Sequence, residues 1–362
     1  MASQHVSKIF VIGGTGVQGV PIVKALVADK KYQVRVLTRD TSSRRANDLL
    51  ALGNVELLQG TFANESTLRD GFRGCDGAFV NIDGFNTGEK TEMYWAIRTY
   101  EIAIEEGIKF FVYGSIPYVL KIGGYDSKFN AGHMNGKGRI GQWILSQNIE
   151  NRERMGASLF TVGPYIDMTI GAQTPMTPTI EDGVITWRVP LGDGLMPLGS
   201  LEDCGHYVRW QFDNPERANG MDLITAIAPV GFNDLAVAFE HATGHQAQYI
   251  DVSLDEYWEI GALSTVAHFP AGSNADPNDR STMTVRQNFT GFWNAFKHNL
   301  WDIDYALLDE IHPNRVKSAE DWFRSQDKEW QSAGRGSLWD RVQPENIGPV
   351  LKRTEDGRMG AL

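Results

Sequence analysis

Residues 8–19 read Lys8-Ile-Phe-Val-Ile-Gly-Gly-Thr-Gly-Val-Gln-Gly19, and this stretch decides the fold. Its first five residues form a short apolar run, which is typical of a strand buried on both faces of a parallel sheet. Gly13, Gly16 and Gly19 follow at fingerprint spacing, and an amphipathic segment comes next. The first glycine permits a tight turn, the second lets a pyrophosphate approach the backbone, and the third lets the helix pack on the strand. The stretch therefore predicts a dinucleotide-binding turn.

Short apolar runs continue to alternate with amphipathic segments as far as about residue 165. The predicted strands are 8–12, 33–37, 55–59, 77–82, 110–115 and 158–162. The predicted helices are 17–28, 42–52, 65–72, 90–106 and 137–148, with a loop at 121–136. This alternation predicts an α/β fold, a doubly wound parallel sheet of the NAD(P)-binding Rossmann type with helices on both faces.

The regular alternation fades after Pro164, and segments bounded by Gly and Pro take over. We therefore expect a dinucleotide-binding domain at residues 1–165 and a smaller α+β lobe for a substrate or partner at 166–330. Residues 331–362 show little periodicity and predict a surface-wrapping or mobile tail.

The second predicted strand indicates which dinucleotide binds. An acidic residue at its end would bind the ribose hydroxyls, whereas an arginine accommodates a 2′-phosphate. This chain has Arg39 there, with Arg44 close behind and Asp40 as a conflicting signal. Arg39 favours NADP(H), whereas Arg44 is as consistent with a solvated helix face. The residues expected to bind the cofactor are Gly13, Thr15, Gly16, Val17, Gln18, Gly19, Arg39, Arg44, Asn81, Asp83 and Lys137.

Composition excludes several other classes of protein. The 362 residues carry a formal net charge of −11 without a dense basic run, which argues against binding to nucleic acid or an anionic membrane. Two cysteines exclude a disulfide scaffold, and the scattered histidines predict no metal site. No 18-residue apolar window or leader pattern occurs, so we expect a soluble, cytoplasmic protein. The oligomeric state stays open.

The motifs together resemble the NmrA-like branch of the atypical short-chain dehydrogenase/reductase superfamily. The resemblance covers about residues 8–325 and rests on the glycine turn, Val34-Arg-Val-Leu-Thr-Arg39, Val80-Asn-Ile-Asp83, Tyr113-Gly-Ser115, His133-Met-Asn-Gly-Lys137, Val162-Gly-Pro-Tyr165, Ile311-His-Pro and Asp321-Trp-Phe323. It implies a Rossmann domain with a less regular C-terminal lobe. It also implies one of two functions, NADPH-dependent reduction of a small compound or redox sensing through a regulated protein partner.

Short-chain dehydrogenases usually place a tyrosine four residues before a lysine, and the lysine lowers the tyrosine pKa. No tyrosine of this chain has that spacing, and His133 stands four residues before Lys137 instead. In a catalytic interpretation Lys137 binds the nicotinamide ribose, and His133 or Tyr165 supplies a proton. In the alternative interpretation Lys137 only anchors ribose, and His133 makes a loop hydrogen bond.

Further candidates follow the predicted strands. Ser115 ends the fifth strand and could donate to a developing oxyanion, or it could make a simple strand-end hydrogen bond. Asn81 and Asp83 end the fourth strand and should border the ribose and nicotinamide, with Phe85 covering them. The aromatic residues of the C-terminal half fit either a pocket for a flat substrate or helix core; they are Trp258, Phe269, Phe289, Phe292, Trp293, Phe296 and Trp301.

Two functional hypotheses remain. The favoured one is an NADPH-dependent reductase of a small, aromatic or polyketide-like compound, with catalytic candidates Lys137, His133, Ser115 and Tyr165. The other is a non-enzymatic NADP(H) redox sensor that binds a regulatory protein. A pocket facing the nicotinamide favours the first, and a site closed by side chains favours the second.

Overall fold

The computed structural model describes residues 6–276, 278–351 and 362. Its strands are β1 (Lys8–Ile12), β2 (Gln33–Thr38), β3 (Val55–Gln59), β4 (Gly77–Val80), β5 (Phe110–Ser115), β6 (Gly156–Val162), β7 (Thr179–Glu181), β8 (Val184–Val189), β9 (Met196–Leu198), β10 (Asp222–Thr225), β11 (Ala228–Val230) and β12 (Ala247–Asp251).

The helices are α1 (Gly19–Val27), α2 (Arg44–Leu50), α3 (Glu65–Phe72), α4 (Gly84–Thr87), α5 (Glu89–Glu105), α6 (Val119–Ile122), α7 (Gly132–Asn151), α8 (Leu201–Asp213), α9 (Pro215–Ala218), α10 (Phe232–Thr243), α11 (Leu254–Ile260), α12 (Val285–Lys297), α13 (Tyr305–Ile311), α14 (Ala319–Ser332) and α15 (Leu338–Arg341). Short 3-10 turns lie at Ser127–Phe129, Ile166–Ile170 and Ser264–Val266.

Seven strands form one sheet in the order β10-β6-β5-β4-β1-β2-β3. All its pairs are parallel; Val11 of β1, for example, lies between Val36 of β2 and Phe79 of β4. The chain leaves β1 toward β2 on one side and later returns to β4 on the other. The segments after β1 and β4 therefore diverge and open a crevice at the carboxyl ends of these strands. The predicted doubly wound Rossmann fold is confirmed.

Helices cover both faces of this sheet. Successive residues of a strand point to opposite faces, so Phe10 packs with Phe72 on one side of β1, while Val11 packs with Leu26 on the other. Strands β5 and β6 are buried along their whole length. Apolar runs without alternation thus correspond to strands buried on both faces.

The C-terminal part has a hydrophobic core of its own. Two smaller sheets, β12-β8-β7 and β11-β9, pack with α10, α12 and α14 around Trp187, Trp293 and Trp322. This is the predicted smaller α+β lobe. Strand β10 lies in the same stretch of sequence but adds to the large sheet by pairing with β6, which the sequence pattern did not predict.

The beginning of α7 differs from the sequence expectation. The loop predicted at 121–136 contains the end of α6, a 3-10 turn and the first turn of α7, which begins at Gly132 rather than at residue 137. Glycines disfavour helix, but Gly132 and Gly136 let α7 approach α5, since a Cβ on either would lie 3.0–3.1 Å from Glu89. Packing therefore fixes this turn, and it places His133 and Lys137 one turn apart on one helix.

The described part of the predicted tail packs on the C-terminal lobe. Leu338 and Val342 are buried there, and Pro349 pairs with Ala172 in a β-bridge. Residues 352–361 of that tail, and residues 1–5 of the predicted first domain, lie outside the described residues. The domain boundaries stay predictions. Among the helices of the described ranges, none combines the length and the apolar character that a membrane crossing requires.

Candidate functional site

The Gly-rich turn connects β1 to α1 at the crevice. Gly13 has a φ of 85°, which L side chains rarely adopt, and a Cβ there would overlap the carbonyl oxygen of Asn81. A Cβ at Gly19 would overlap the Gly13 carbonyl, and the Gly16 N–H donates to that carbonyl at 3.0 Å. Among the described residues no side chain caps the N-terminus of α1, so the N–H groups of its first turn have no side-chain partner there. This arrangement can accept a phosphate at the helix N-terminus.

The side chains of the arginines that follow β2 lie in different places relative to the Gly-rich turn. Arg39 follows β2 directly and is partly buried. Arg45 donates from Nη1 to the carbonyl oxygen of Thr15 at 3.3 Å and so lies against the Gly-rich turn. Arg44 lies 3.6 Å from Asp48 on the outer face of α2, with its side chain 75% exposed. The solvated-face interpretation therefore suits Arg44, and Arg45 reaches the turn.

Asp40, the conflicting acidic residue, is engaged within its own loop. Its carboxylate accepts hydrogen bonds from the Ser42 N–H at 2.8 Å and from the Ser42 hydroxyl at 2.6 Å. Those bonds fold Asp40 back toward the start of α2.

Lys137 lies at the carboxyl ends of β4 and β5. Its ammonium donates to the Ile82 carbonyl at 2.8 Å and to Asn81 Oδ1 at 3.0 Å, and it lies 2.7 Å from Glu92 Oε1. The amide of Asn81 in turn donates to Gln18 Oε1 at 2.6 Å. A continuous set of polar contacts thus joins the Gly-rich turn, the end of β4 and the lysine of α7.

Glu92 is the functional candidate that the sequence reasoning missed. Its side chain is completely buried on α5, and burial raises the pKa of its carboxyl, while Lys137 acts in the opposite direction. A glutamate in the first turn of an amphipathic helix normally faces water, so its residue type and position gave no sign of burial. The available signal was spacing, because Glu92 lies in helical register with buried Ala96, Thr99 and Ala103.

His133 lies in an aromatic cluster beside Lys137. Its ring centroid is 4.9 Å from that of Phe85, 5.4 Å from Phe289 and 6.0 Å from Phe292. The Phe85 and Phe289 rings are nearly parallel, 6.0 Å apart. Burial lowers the pKa of His133 to about 4. We refer to Phe85, His133 and Phe289 as the aromatic wall.

The other aromatic residues of the C-terminal half divide between core and surface. Trp258, Phe292, Trp293 and Phe296 are buried in the core of the lobe, whereas Phe269 is 51% exposed. The core interpretation therefore describes most of them, and Phe289 is the member that contributes to the aromatic wall.

The remaining candidates lie around the same crevice. Ser115 is buried at the end of β5, and a Cβ at Gly141, one turn beyond Lys137 on α7, would lie 2.7 Å from its hydroxyl. Burial raises the pKa of Tyr165, with smaller contributions from charges that include Asp83. Asp83 caps α4 by accepting from the Phe85 N–H at 3.0 Å.

The sheet order and the Gly-rich turn define an α/β protein of the NAD(P)-binding Rossmann class. A sequence model of the NmrA-like family matches residues 5–299. The chain belongs to the NmrA-like family, as the motifs indicated.

Relatives and solved structures extend this assignment. The NmrA-like family domain-containing oxidoreductase FrzB of Cladobotryum sp is 29% identical over 67% of this chain and 75% of its own length. The NmrA-like family domain-containing oxidoreductase lnaB of Aspergillus flavus is 27% identical over 87% of this chain and 96% of its own.

Among solved structures, the negative transcriptional regulator NmrA in complex with NADP has a TM-score of 0.63 at 17% identity, covering 92% of this chain and 99% of NmrA. The NADPH-dependent quinone oxidoreductase QOR2 of Escherichia coli, complexed with NADPH, has a TM-score of 0.66 at 16% identity, covering 87% and 98%. These likenesses show the shared fold.

Proposed function

We propose that this chain is an NADP(H)-dependent oxidoreductase that reduces a small, flat compound. The observation that carries the proposal is the position of the Lys137 ammonium, fixed at the ends of β4 and β5 and linked through Asn81 to Gln18 of the Gly-rich turn. A cation held at the carboxyl edge of a Rossmann sheet lies where ligands of such sheets bind. The names of the oxidoreductase relatives and of the NADPH-bound neighbour support the same conclusion.

The residues present fit the dinucleotide. A Cβ at Gly16 would lie 3.1 Å from the Gly13 carbonyl, so the turn depends on missing side chains where a pyrophosphate would approach. The uncapped first turn of α1 offers N–H groups to the same phosphates. Arg39 and Arg45 are the residues we assign to the 2′-phosphate, with Lys137 and Asn81 at the nicotinamide ribose.

The chain's own groups then have distinct roles. When bound, NADPH supplies the hydride. Lys137 places a positive charge beside a substrate oxygen on which negative charge develops, and Ser115 is the hydrogen-bond donor at that edge. Tyr165 is the further candidate proton donor; a phenol is protonated at neutral pH, and burial raises the pKa of this one further. The aromatic wall stacks on a planar substrate and excludes water from the site.

We do not assign the proton transfer to His133 itself. The pKa of His133 is lowered to about 4 by burial, so the ring is neutral near pH 7. Its Nδ1 lies 2.9 Å from Asn288 Oδ1 and is engaged there. His133 therefore serves the proposed reaction as part of the aromatic wall.

One observation favours the alternative, a redox sensor that regulates a protein partner. The Lys137 ammonium already donates to Asn81 Oδ1 and to the Ile82 and Gly114 carbonyl oxygens, and Glu92 neutralises its charge, so the protein's own groups satisfy this lysine. A sensor would bind the dinucleotide and signal its redox state without turnover.

The two proposals are separated by one assay. NADPH oxidation is followed against quinones, ketones and aromatic aldehydes, together with NADPH binding by fluorescence. Lys137→Met should lower kcat/KM by roughly 10²–10⁴-fold. Lys121→Met, on the exposed neighbouring α6, is the matched control and should leave turnover unchanged. Tight NADPH binding without turnover of any compound would contradict the oxidoreductase and favour the sensor.

A further inference from the structure

Glu92 and Lys137 form a buried ion pair between α5 and α7. The Glu92 side chain is completely buried and the Lys137 side chain is 12% exposed, with Nζ 2.7 Å from Oε1. Apart from Lys137, no residue of the described ranges offers a hydrogen bond to either oxygen of this carboxylate. Lys137 is thus the partner that makes burial of this charge tolerable.

The position of the carboxylate is held sterically. A Cβ at Gly84, the first residue of α4, would overlap Glu92 Oε2, so α4 lies directly against the carboxylate. Asp83, immediately before Gly84, caps α4 through the Phe85 and Asn86 N–H groups. The loop after β4 therefore keeps Glu92 in place and leaves it little room to turn away from Lys137.

An ion pair of this kind contributes little to stability. Removing two charges from water costs several kcal/mol per ion, and replacing such a pair by apolar residues is often neutral or stabilising. Stability alone does not account for a buried Glu92 opposite a lysine at the carboxyl edge of the sheet. An effect of Glu92 on the position of that lysine does account for its burial.

The Lys137 ammonium also donates to the Gly114 carbonyl oxygen at 3.4 Å, and the groups around it differ in how easily they can be exchanged. The Ile82 carbonyl belongs to the backbone, and Glu92 is locked against Gly84. Asn81 is a partly exposed side chain that also bonds Gln18 of the Gly-rich turn. A ribose hydroxyl entering the site can therefore replace Asn81 at the ammonium, while Glu92 and Ile82 hold the lysine.

We propose that Glu92 is a positioning residue for Lys137: it fixes the ammonium at the ends of β4 and β5 while the lysine exchanges Asn81 for the dinucleotide. This inference rests on the proposed function, since it concerns the lysine assigned to the nicotinamide ribose. The functional unit is then the Glu92–Lys137 pair rather than the lysine alone.

The charged groups around the pair support this assignment. Lys137 is the cation that acts on Glu92, and Asp83 before α4 and Glu89 on α5 are the acidic groups that act on it. Tyr113 of β5 packs beneath, with Lys137 Nζ 5.4 Å from the ring centroid. Glu89 itself pairs with Arg139, so it does not replace Glu92 as the partner of Lys137.

The test compares Glu92→Gln with Glu89→Gln, a matched change one turn away on α5. The first readout needs no cofactor: reductive methylation of Lys137 with formaldehyde and cyanoborohydride, measured by peptide mass spectrometry across pH 6–11. In Glu92→Gln the pH of half-maximal labelling should fall by at least about 1 unit, since the lost carboxylate stabilised the protonated amine. Glu89→Gln should match the wild type.

The second readout is the NADPH dissociation constant between pH 6.5 and 9. Glu92→Gln should weaken binding about tenfold more at pH 9 than at pH 6.5, whereas Glu89→Gln should not. Glu92→Asp keeps a carboxylate on a side chain one methylene shorter, so it should show the same two changes at smaller amplitude, and it replaces Glu92→Gln if that variant does not fold.

Equal labelling curves for Glu92→Gln and Glu89→Gln would overturn the inference, as would a labelling shift without any change in NADPH affinity. Loss of thermal stability alone would also overturn it, because a purely structural residue would do the same. If both shifts occur and no compound is reduced, the positioning role stands and the oxidoreductase proposal fails.

Discussion

Asn288 holds His133 through a single oxygen. Its Oδ1 accepts the backbone N–H of His133 at 3.2 Å and lies 2.9 Å from the ring Nδ1. Because a backbone N–H can only donate, the Asn288 atom that it contacts is the amide oxygen. An amide oxygen can only accept, so His133 Nδ1 must carry the proton of the second hydrogen bond. The neutral ring therefore has its proton on Nδ1 and a bare Nε2. Asn288, on α12, thus fixes the tautomer of a residue on α7.

The neutral state of His133 should make the free energy of unfolding depend on pH. The pKa of His133 falls from 6.5 in the unfolded chain to about 4 in the folded protein because of burial. Between these values the unfolded state binds more protons, so the free energy of unfolding decreases as pH drops from about 6.5 to 4, by up to about 3 kcal/mol. Urea unfolding of the wild type and of His133→Gln at pH 7 and 4.5 measures this decrease in the free energy of unfolding. The part of the decrease that His133 causes should be absent in the variant.

His298→Gln is the control for that experiment. His298 is exposed directly after α12, where its Nδ1 donates to the Asn294 carbonyl oxygen at 2.9 Å. It should keep the wild-type dependence on pH. A wild-type dependence in His133→Gln as well would show that the ring is protonated normally in the folded protein.

Arg45 should contribute to the preference for NADPH, and Arg44 should not. Arg45 lies against the Gly-rich turn through its bond to Thr15, while Arg44 pairs with Asp48 in solvent. Hydrogen bonds to a charged group contribute about 1.5–3 kcal/mol, so Arg45→Ala should lower the NADPH to NADH affinity ratio about tenfold or more. Arg44→Ala is the matched control. Equal ratios in the two variants would place the 2′-phosphate elsewhere.

The parts of the fold that the sequence predicted are those decided by local pattern. Residues 8–12 and 110–115 are mostly apolar without alternation, and the structure has strands with those bounds. The first turn of α7 was missed because Gly132 and Gly136 have low helix propensity, and only packing against Glu89 explains them. Strand β10 was missed because it has just four residues and pairs with a strand distant in sequence.

The residues of the site likewise divide into those that local sequence pattern predicted and those that only tertiary contacts define. The glycine turn, Asn81 and Lys137 were found because they follow strands whose ends were recognisable. Glu92 and Asn288 were missed, since neither belongs to a dinucleotide-binding or catalytic motif and both act across helix contacts between segments distant in sequence. Tertiary contacts of single polar residues leave little trace in a sequence without an alignment.

The aromatic wall should select planar substrates. Phe85 is 43% exposed and stacks with His133 and Phe289, so its ring is available to a ligand. Phe85→Ala should raise KM for an aromatic quinone about tenfold, with little effect on an aliphatic ketone and on thermal stability. Tyr94→Ala, at a similarly exposed aromatic residue of α5, is the control. An equal increase in KM for both substrates would contradict stacking by Phe85.

Loss of Lys137 should destabilise the protein in a manner that depends on pH. Lys137→Met leaves the buried Glu92 carboxylate without its cation, and breaking such a pair costs about 3–5 kcal/mol. Burial already raises the pKa of Glu92 in the folded state. Below its ordinary pKa, Glu92 is protonated whether the chain is folded or not, so the deficit should disappear there and grow as pH rises through the raised folded value.

Two further variants make this prediction decisive. Lys137→Met combined with Glu92→Gln removes both charges, so it should recover most of the lost stability at pH 7. Arg139→Met breaks the more exposed pair with Glu89 on the same two helices and should cost about 1 kcal/mol or less. Chemical denaturation at pH 4, 7 and 9 compares the three variants. A deficit in Lys137→Met that is equal at pH 4 and 9, or unchanged by Glu92→Gln, would show that Glu92 is not the charge that Lys137 neutralises.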